Sequence, residues 1–549
     1  MNIRLTHGFP RPLTILLYLT LNMINLMPLT ADSQHNDPII AGRNIAVVQT
    51  TYGAVRGYIH NGIFTFKGIP YGTANRFMPP EKPSPWKDVR SSMTYGPICP
   101  AIETDYLPDD FEFALNRSRG FYSNENCLNL NIWSRKIANP AKKPVMVWLH
   151  GGGFSSGSSM EDPSADGESL SRTGDVVVVS INHRLNTLGF LDLSAYGEKY
   201  KHSVNVGVKD LVLALTWIKE NISHFGGDPD NVTIFGQSGG GAKVNCLLNT
   251  PSAKGLFHKA IVQSGSYFYH FIEPAIAKRV AAELLKELGL TPDQVDSLQS
   301  MPYDRLGAAG QQAIEKIKKT MKPEEIFNFG LEWEPVHDGE FLPNQPDDPL
   351  AIKLSDNIPL LVGTCKNEYN PFIFGLSDFT MDSVKDRLQK QYGEKTAAYL
   401  SAVKKTYPET VEPIDYIDID FLFRPYVIRQ ADQKSKTGAA PVYVYLFTWQ
   451  SPVLSGAYKA LHTMDLPFVF NNISRCEEMT GGGPKAYQLA ARVSEAWIQF
   501  ARTGNPNHKE LPDWPAYTDK NGATMIFDNH CEVKNHPDKE LLSIAAGAH

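Results

Sequence analysis

Unbroken apolar runs recur along the chain, and they predict the buried strands of one large sheet. Short runs rich in Val, Ile, Leu and aromatic residues are typical of strands that are covered on both faces. We predict seven such strands, at residues 144–149, 176–181, 232–235, 260–263, 359–363, 442–447 and 524–527.

The segments between these runs carry apolar residues every three or four positions, which predicts amphipathic helices. The clearest examples span residues 211–222, 276–288, 381–392 and 486–502. Alternating strands and helices imply a mostly parallel sheet flanked by helices. We therefore predict an α/β fold, preceded by a small N-terminal β-hairpin region at residues 46–67, where turns separate short strands.

The amino terminus differs from the rest of the chain. Arg4 and Arg11 precede an apolar run at 13–21, and a small-residue site at 29–31 leads into polar sequence. This order is typical of a secretory signal peptide, and the apolar run is too short for a stable membrane span. We predict a signal peptide at residues 1–31, a secreted or periplasmic protein, and a single domain over residues 44–535, where no repeat or linker interrupts the chain.

The net charge of the chain indicates which kinds of molecule it is expected to bind. The formal net charge is −6, and the basic residues do not form a patch. Nucleic-acid-binding proteins usually concentrate basic charge, so we expect no nucleic acid partner. No phosphate-binding glycine loop and no zinc-ligand spacing is present, so we expect neither a cofactor nor a metal. We expect a monomer or a weak homodimer that acts on a small molecule.

A serine between glycines provides the first chemical signal. Residues 236–240 (GQSGG) match G-x-S-x-G and stand between a predicted strand and a predicted helix that opens at Ala242. In this context the pattern predicts a nucleophile elbow, which exposes the serine hydroxyl beside the positive end of the helix. Ser238 is therefore the candidate nucleophile. The alternative is a glycine-rich turn with an incidental serine.

A glycine run after another predicted strand provides the second signal. Residues 150–154 (HGGGF) follow the strand at 144–149. Glycines let the backbone approach a substrate closely, and backbone N–H groups can stabilise the oxyanion of an acyl-transfer intermediate. We predict an oxyanion hole formed by Gly152, Gly153 and Gly239. A flexible turn is the alternative for the glycine run taken alone.

A base and an acid are expected downstream, in the order serine, acid, histidine. Glu368 follows the predicted strand at 359–363, and Asp378 and Asp465 compete with it. The candidate histidines are His462, His508, His530, His536 and His549. His462 is favoured because it lies in an apolar loop after a predicted strand, whereas the others lie in polar sequence near the end of the chain.

These motifs resemble those of the type B carboxylesterase/cholinesterase family. Residues 225–238 match the serine-site signature of that family, and residues 125–133 resemble its second signature, with departures at Asn126 and Asn129. Gly239 stands where cholinesterases carry alanine. Residues 466–470 (LPFVF) are most similar to bacterial carboxylesterases of the para-nitrobenzyl esterase type.

The resemblance implies an α/β-hydrolase fold and a serine esterase mechanism. It assigns Ser238 as nucleophile, His462 as base and Glu368 as the orienting acid, with an acyl-enzyme intermediate and small to medium carboxylic esters as substrates. Two alternatives remain on the same fold: a catalytically weak, cholinesterase-like adhesion module, and an amidase or thioesterase that uses the same triad.

The resemblance also implies two structural links. It places a disulfide between Cys99 and Cys127 and a salt bridge between Arg76 and Glu125. The sequence alone leaves the pairing of the other four cysteines open; these are Cys246, Cys365, Cys476 and Cys531.

Overall fold

A computed structural model describes residues 37–102, 108–118, 120–137, 142–266, 270–322, 325 and 330–546. The predicted signal peptide at 1–31 and the candidate His549 lie outside these ranges.

Strands from nearly the whole described chain build one large mixed sheet. The strands, in chain order, are β1 (Val47–Gln49), β2 (Ala54–Arg56), β3 (Tyr58–His60), β4 (Ile63–Pro70), β5 (Arg90–Ser91), β6 (Asn129–Ser134), β7 (Lys143–Leu149), β8 (Val177–Ile181), β9 (Gly227–Gln237), β10 (Lys259–Gln263), β11 (Leu360–Cys365), β12 (Val442–Phe447), β13 (Ala523–Phe527) and β14 (Glu532–Asn535). Eleven of them pair in the order β14-β13-β12-β11-β10-β9-β7-β8-β6-β4-β3, and β1, β2 and β5 form a separate small sheet.

The central part of the large sheet is parallel. Every pairing from β8 through β7, β9, β10, β11 and β12 to β13 is parallel, and the outer strands pair antiparallel. Because the strands run the same way, their carboxyl ends meet at one edge, where open α/β sheets hold their sites. This arrangement confirms the predicted fold class, a mostly parallel sheet with a small N-terminal β region.

Helices cover both faces of the sheet. Their bounds are α1 (Asp109–Leu115), α2 (Gly167–Gly174), α3 (Asn186–Phe190), α4 (Val206–Asn221), α5 (Gly239–Leu248), α6 (Pro274–Glu287), α7 (Tyr303–Lys318), α8 (Pro349–Leu354), α9 (Met381–Tyr392), α10 (Thr396–Thr406), α11 (Arg424–Thr437), α12 (Leu466–Val469), α13 (Glu477–Thr480), α14 (Pro484–Thr503) and α15 (Lys539–Ala546). Within the described ranges, none of these helices is long and apolar enough to span a membrane.

Alternate strand residues supply two separate cores. On β7, Val147 packs into the core shared with α4, α5, α6, α7 and α11, and Trp148 packs into the core shared with α2, α12, α13 and α14. Both side chains are almost fully buried. Successive side chains of a strand point to opposite faces, so a strand covered on both sides must be apolar throughout. This requirement explains the unbroken apolar runs of the sequence.

Strand β6 is absent from the sequence-based prediction, and its polar residues explain why. Asn129, Asn131 and Ser134 interrupt the apolar pattern although all three are buried. Asn131 is satisfied internally, because its Nδ2 donates to the hydroxyls of Ser159 and Ser180 at 3.0 Å each. A buried polar group with such partners is tolerated in a sheet, but its partners are distant in sequence.

The chain continues beyond residue 535 into α15. Leu541 of this helix is fully buried in a third apolar cluster, with Val403 of α10 and Val384 of α9 among its members. The helix therefore packs onto the same structural unit as the helices before it.

The disulfide expected between Cys99 and Cys127 is absent from this structure, which contains both residues as free, buried thiols. The two side chains do contact each other, since a hydrogen bond that the Cys127 thiol donates to Cys99 is the largest cause of the raised pKa of Cys127. Cys99 also accepts from the N–H of Leu185 at 3.3 Å and donates to the carbonyl of Pro100 at 3.6 Å. Internal hydrogen bonds thus satisfy the reduced thiol of Cys99.

The salt bridge expected between Arg76 and Glu125 is confirmed. Arg76 Nε donates to one carboxylate oxygen of Glu125 at 2.7 Å, and Nη2 contacts the other oxygen. Nη1 donates to the carbonyls of Leu298 and Met301, at 2.8 and 2.5 Å. One guanidinium therefore ties the loop before β6 to the segment before α7.

A buried ion pair holds α15 against α11, and it yields a test of the fold. Arg424 Nε donates to Asp538 at 2.6 Å, and the two side chains are 2% and 5% exposed. Asp538→Ala would leave a buried guanidinium without its counter-charge, so we expect unfolding free energy, measured by urea denaturation, to fall by about 3–5 kcal/mol.

The matched control is Glu540→Ala, which breaks the exposed pair with Lys405, whose side chain is 74% exposed. That change should cost less than about 1 kcal/mol. Equal losses in the two variants would contradict the structural role of the buried pair.

Candidate active site

Ser238 sits on a strained turn between β9 and α5. Its backbone has φ 57° and ψ −126°, in the positive-φ region that non-glycine residues rarely adopt, and its N–H donates to the carbonyl of Gln263 at 2.8 Å. A Cβ at Gly236 would overlap the backbone of Gly240, and one at Gly240 would overlap the carbonyl of Leu149. Backbone crowding therefore explains both glycines of the motif.

A cavity of about 510 Å³ opens above this turn. It is lined by Ser238, His462 and the glycines 151–153, and its apolar wall includes aromatic side chains from several elements: Trp148, Phe154, Trp333, Tyr369 and Phe374. A cavity of this size, apolar with a few converging polar groups, is typical of sites for small molecules.

The glycine loop after β7 lies directly against the start of α5. Gly152 and Gly153 have φ values of 83° and 60°, which only glycine adopts without strain. A Cβ added to Gly239 would overlap the backbone nitrogen of Gly153. The structure thus brings the three predicted oxyanion-hole residues close together, and Gly152 and Gly153 line the cavity.

His462 and Glu368 are directly linked. The Nδ1 atom of His462 is hydrogen-bonded to Oε2 of Glu368, and the backbone N–H of His462 donates to the Glu368 carbonyl at 2.9 Å. The other carboxylate oxygen, Oε1, accepts from the Ser264 hydroxyl at 2.5 Å and from the Cys365 N–H at 2.7 Å. Glu368 is 1% exposed, so these contacts fix its carboxylate in a buried position.

The two competing acids are placed differently. Asp465 is fully buried, but its Oδ2 accepts from the Gln263 amide at 2.9 Å and from the Tyr445 hydroxyl at 2.8 Å. Burial raises the pKa of Asp465 to about 6. Asp378 is exposed on the surface. Neither of them is hydrogen-bonded to the ring of His462.

The competing histidines lie away from the cavity. His508 is half-buried with Nε2 3.0 Å from the Arg492 carbonyl, and His536 has Nε2 3.1 Å from the Lys520 carbonyl. His530 is exposed. Of the candidate histidines in the described ranges, His462 is the one that lines the cavity.

The serine and the histidine share the cavity without a direct hydrogen bond. Among the described residues, the hydroxyl of Ser238 has no hydrogen-bond partner, and the amide nitrogen of Gln237 lies 3.2 Å from His462 Nε2. Catalytic hydrogen bonds are often long or poorly aligned in a protein without substrate, and they tighten in the complex. The same amide nitrogen of Gln237 lies 3.3 Å from His462 Nδ1, so it is close to both ring nitrogens.

Two neighbouring rings orient the imidazole. Tyr369 and Phe423 stack against His462 with centroids 5.2 and 5.3 Å away and interplanar angles of 21° and 11°. Offset stacking of this kind stabilises one ring orientation. The two stacked rings therefore restrict rotation of the imidazole about its hydrogen bond to Glu368.

Four residues that contribute to the site were not predicted; they are Gln237, Ser264, Tyr369 and Phe423. Ser264 follows β10 directly, and a polar residue just after a buried strand beside the elbow strand is the signal that could have found it. Gln237 occupies a variable position of the G-x-S-x-G pattern. Phe423 lies in a segment whose proximity to the cavity depends on long-range folding.

Charged side chains line the cavity beside the apolar wall. These side chains belong to Arg117, Glu161, Asp162, Glu332 and Glu334. Burial raises the pKa of Glu161 and of Glu332. In the part of the chain that the structure describes, no group of three or more His, Cys, Asp or Glu residues is arranged to hold a metal ion.

Comparisons with known proteins find relatives over most of the chain. A family model described as "Carboxylesterase family" matches residues 44–544. The chain is 37% identical to a para-nitrobenzyl esterase of Bacillus subtilis over 503 residues, covering 90% of this chain and 97% of the relative. It is 32% identical to a phenmedipham hydrolase of Pseudarthrobacter oxydans over 504 residues, covering 89% and 96%.

Solved structures show the same likeness. An esterase from anaerobic Clostridium hathewayi that can hydrolyse aliphatic aromatic polyesters superposes with a TM-score of 0.81 at 36% identity, covering 93% of this chain and all of that one. A thermophilic para-nitrobenzyl esterase superposes with a TM-score of 0.74 at 36% identity, covering 91% and 99%.

Proposed function

Because this chain belongs to the carboxylesterase family and is a carboxylic ester hydrolase, we propose that Ser238, His462 and Glu368 form its catalytic triad. The single observation that carries this proposal is the hydrogen bond between His462 Nδ1 and the buried carboxylate of Glu368, at the wall of a cavity that also contains Ser238. An imidazole held at Nδ1 presents Nε2 to a hydroxyl, as a general base requires.

The proposed reaction has two halves. Ser238 Oγ attacks the ester carbonyl while His462 Nε2 accepts the hydroxyl proton, and the tetrahedral intermediate collapses to an acyl-enzyme as the histidine returns that proton to the leaving alcohol. Water then attacks the acyl group with His462 again as base, which releases the acid and the free serine. Glu368 stabilises the imidazolium that forms in each half.

The proposed oxyanion hole consists of the N–H groups of Gly152, Gly153 and Gly239. Two findings support it: the contact between Gly239 and Gly153, and the position of Gly239 at the first turn of α5, where N–H groups lack intrahelical partners. Removing one such donor typically raises the barrier by about 2.7–4 kcal/mol. These donors act on charge that develops only in the intermediates, so they accelerate the chemical step.

The cavity supports small to medium esters as substrates. Its volume of about 510 Å³ and its aromatic walls suit an apolar acyl or alcohol group of limited length. Gly151, Gly152 and Gly153 carry no side chains into it, so the alcohol part of an ester meets no Cβ at that wall. The adhesion alternative is not favoured, because the relatives named above are hydrolases and esterases.

Ser238→Ala tests the nucleophile. Without the hydroxyl there is no acyl-enzyme, so we expect turnover of para-nitrophenyl acetate to fall by several orders of magnitude in a folded protein. A fluorophosphonate probe should label the wild type at Ser238 in a one-to-one ratio, as read by peptide mass spectrometry. The control is Ser158→Ala, another serine of the cavity lining, which should keep turnover and labelling. Labelling of a different serine, with turnover retained in Ser238→Ala, would refute the triad.

Two matched variants, Glu368→Gln and Asp465→Asn, test which of two buried carboxylates is the acid of the triad. The amide of Gln cannot stabilise the imidazolium, so kcat should fall by about 10²–10⁴-fold. Asp465 is held by Gln263 and Tyr445, so its variant should lose less than about tenfold. Circular dichroism would check folding in both. The acid is misassigned if Asp465→Asn is the crippled variant.

We further propose that residues 1–31 direct export and that Cys99 and Cys127 form a disulfide in the exported protein. The basic start and apolar run support export, and the contact between the two thiols supports pairing. Oxidising compartments permit disulfides, whereas the cytosol keeps thiols reduced. Closing a loop of about 28 residues would stabilise the fold by roughly 3–4 kcal/mol in the chain-entropy estimate.

Amino-terminal sequencing and non-reducing peptide mapping of protein from the periplasm or medium test this proposal. We expect a mature start near residue 32 and one linked peptide pair that contains Cys99 and Cys127. Cys246, a buried residue of α5, is the internal control and should remain a free thiol. An intact leader on cell-associated protein, with both thiols free, would contradict it.

A further inference from the structure

Lys243 is a buried lysine on the helix that follows the proposed nucleophile. It lies on α5 and is 0% exposed. Its Nζ donates to the carbonyl of His150 at 2.7 Å and to that of Gly151 at 3.4 Å. These carbonyls belong to the glycine loop after β7, so the amine of Lys243 bridges α5 to that loop.

The orientation of one peptide unit depends on this contact. The carbonyl of Gly151 and the N–H of Gly152 belong to the same planar peptide, and in a trans peptide they point in opposite directions. A donor that holds the Gly151 oxygen inside the protein therefore directs the Gly152 N–H the other way. Gly152 lines the cavity, where an N–H directed away from the protein interior would face a bound substrate.

A second buried donor acts on the same oxygen. His150 Nδ1 lies 2.8 Å from the Gly151 carbonyl. Burial lowers the pKa of His150 well below its usual value, so the ring is neutral and carries one N–H, which the carbonyl places on Nδ1. His183 stacks on this ring at 5.2 Å and is equally buried.

The neighbouring peptide is held without any side chain from outside the loop. The Gly152 carbonyl accepts from the N–H groups of Ser156 at 3.0 Å and Ser155 at 3.3 Å. The Ser156 hydroxyl also donates to this carbonyl, at 3.4 Å, so groups of the loop itself direct the N–H of Gly153. The N–H of Gly152 instead depends on Lys243 and His150.

We propose that Lys243 is a positioning residue for ester hydrolysis, which fixes the Gly151–Gly152 peptide so that the Gly152 N–H faces the oxyanion. This inference rests on the proposed oxyanion hole. Burial lowers the pKa of Lys243 to about 7, and the negative charge of Glu161 partly offsets that effect. The charged and the neutral amine both carry N–H groups, so either form can donate to the two carbonyls.

Lys243→Met removes the donors and keeps an unbranched apolar side chain. Deleting an oxyanion donor lowers kcat by about 10²–10³-fold, and misplacing one should cost less. We therefore expect kcat for para-nitrophenyl butyrate to fall by at least about tenfold but by no more than about 10³-fold, with KM within about threefold of wild type. The inhibition constant of an alkyl trifluoromethyl ketone, whose serine adduct carries an oxyanion, should rise by the same factor as kcat/KM falls. The ¹⁹F NMR titration of that adduct should show a higher pKa for its hydroxyl.

Lys434→Met is the matched control. Lys434 is also a buried lysine, 7% exposed, whose Nζ contacts one backbone carbonyl, that of Ser355, and it does not line the active-site cavity. We expect this variant to lose stability without any change in kcat or in affinity for the ketone. A merely structural role of Lys243 predicts the same behaviour for both lysine variants.

Two results would overturn the inference. One is a folded Lys243→Met enzyme with kcat within twofold of wild type, and the other is a loss of kcat with unchanged ketone affinity. If the Met variant does not fold, Lys243→Gln is judged by the same comparison of kcat/KM with ketone affinity. A wild type that neither hydrolyses esters nor binds the ketone would refute the proposed function and this inference together.

Discussion

The close approach of backbone to backbone at the ends of β7 and β9 is the constraint on which the site depends. A Cβ at Gly240 would overlap the carbonyl of Leu149, and a Cβ at Gly239 would overlap the nitrogen of Gly153. With no side chain between them, the start of α5, the serine turn and the glycine loop occupy one small region. Any larger residue would separate the nucleophile from the donors that serve it.

The parallel sheet delivers the remaining groups to the same region. β7, β9, β10 and β11 are neighbours that run in one direction, so the residues just after them meet at one edge. Ser264 follows β10, and Glu368 follows β11, which is why the serine hydroxyl can donate to the carboxylate at 2.5 Å. Because β10 and β11 are neighbours, Ser264 can bond one carboxylate oxygen of Glu368 while His462 bonds the other.

How much of this site could be predicted depends on how local each signal is. Ser238 and the glycines follow from short motifs whose backbone demands are visible in a few residues. Asp465 and Asp378 compete with Glu368 in the sequence, because a local pattern does not show which carboxylate reaches the ring of His462. In the structure Asp465 bonds Gln263 of β10 and Tyr445 of β12 instead, and such cross-strand partners cannot be read from a local pattern. Strand β6 and the ring of Phe423 also depend on partners that are distant in sequence, so they were not predicted.

Negative charge near His462 is distributed so that Glu368 alone bonds the ring. Asp420 accepts from the N–H groups of Leu422, Phe423 and Arg424, yet burial and the nearby Glu368 raise its pKa to about 8. Burial raises the pKa of Asp465 to about 6. At pH 7 the Asp420 carboxyl therefore holds its proton and adds no charge to the buried region. Asp465 ionises at that pH, but Gln263 and Tyr445 hold its carboxylate, and it is not hydrogen-bonded to the imidazole. Folding therefore makes one of three buried acids the partner of the histidine.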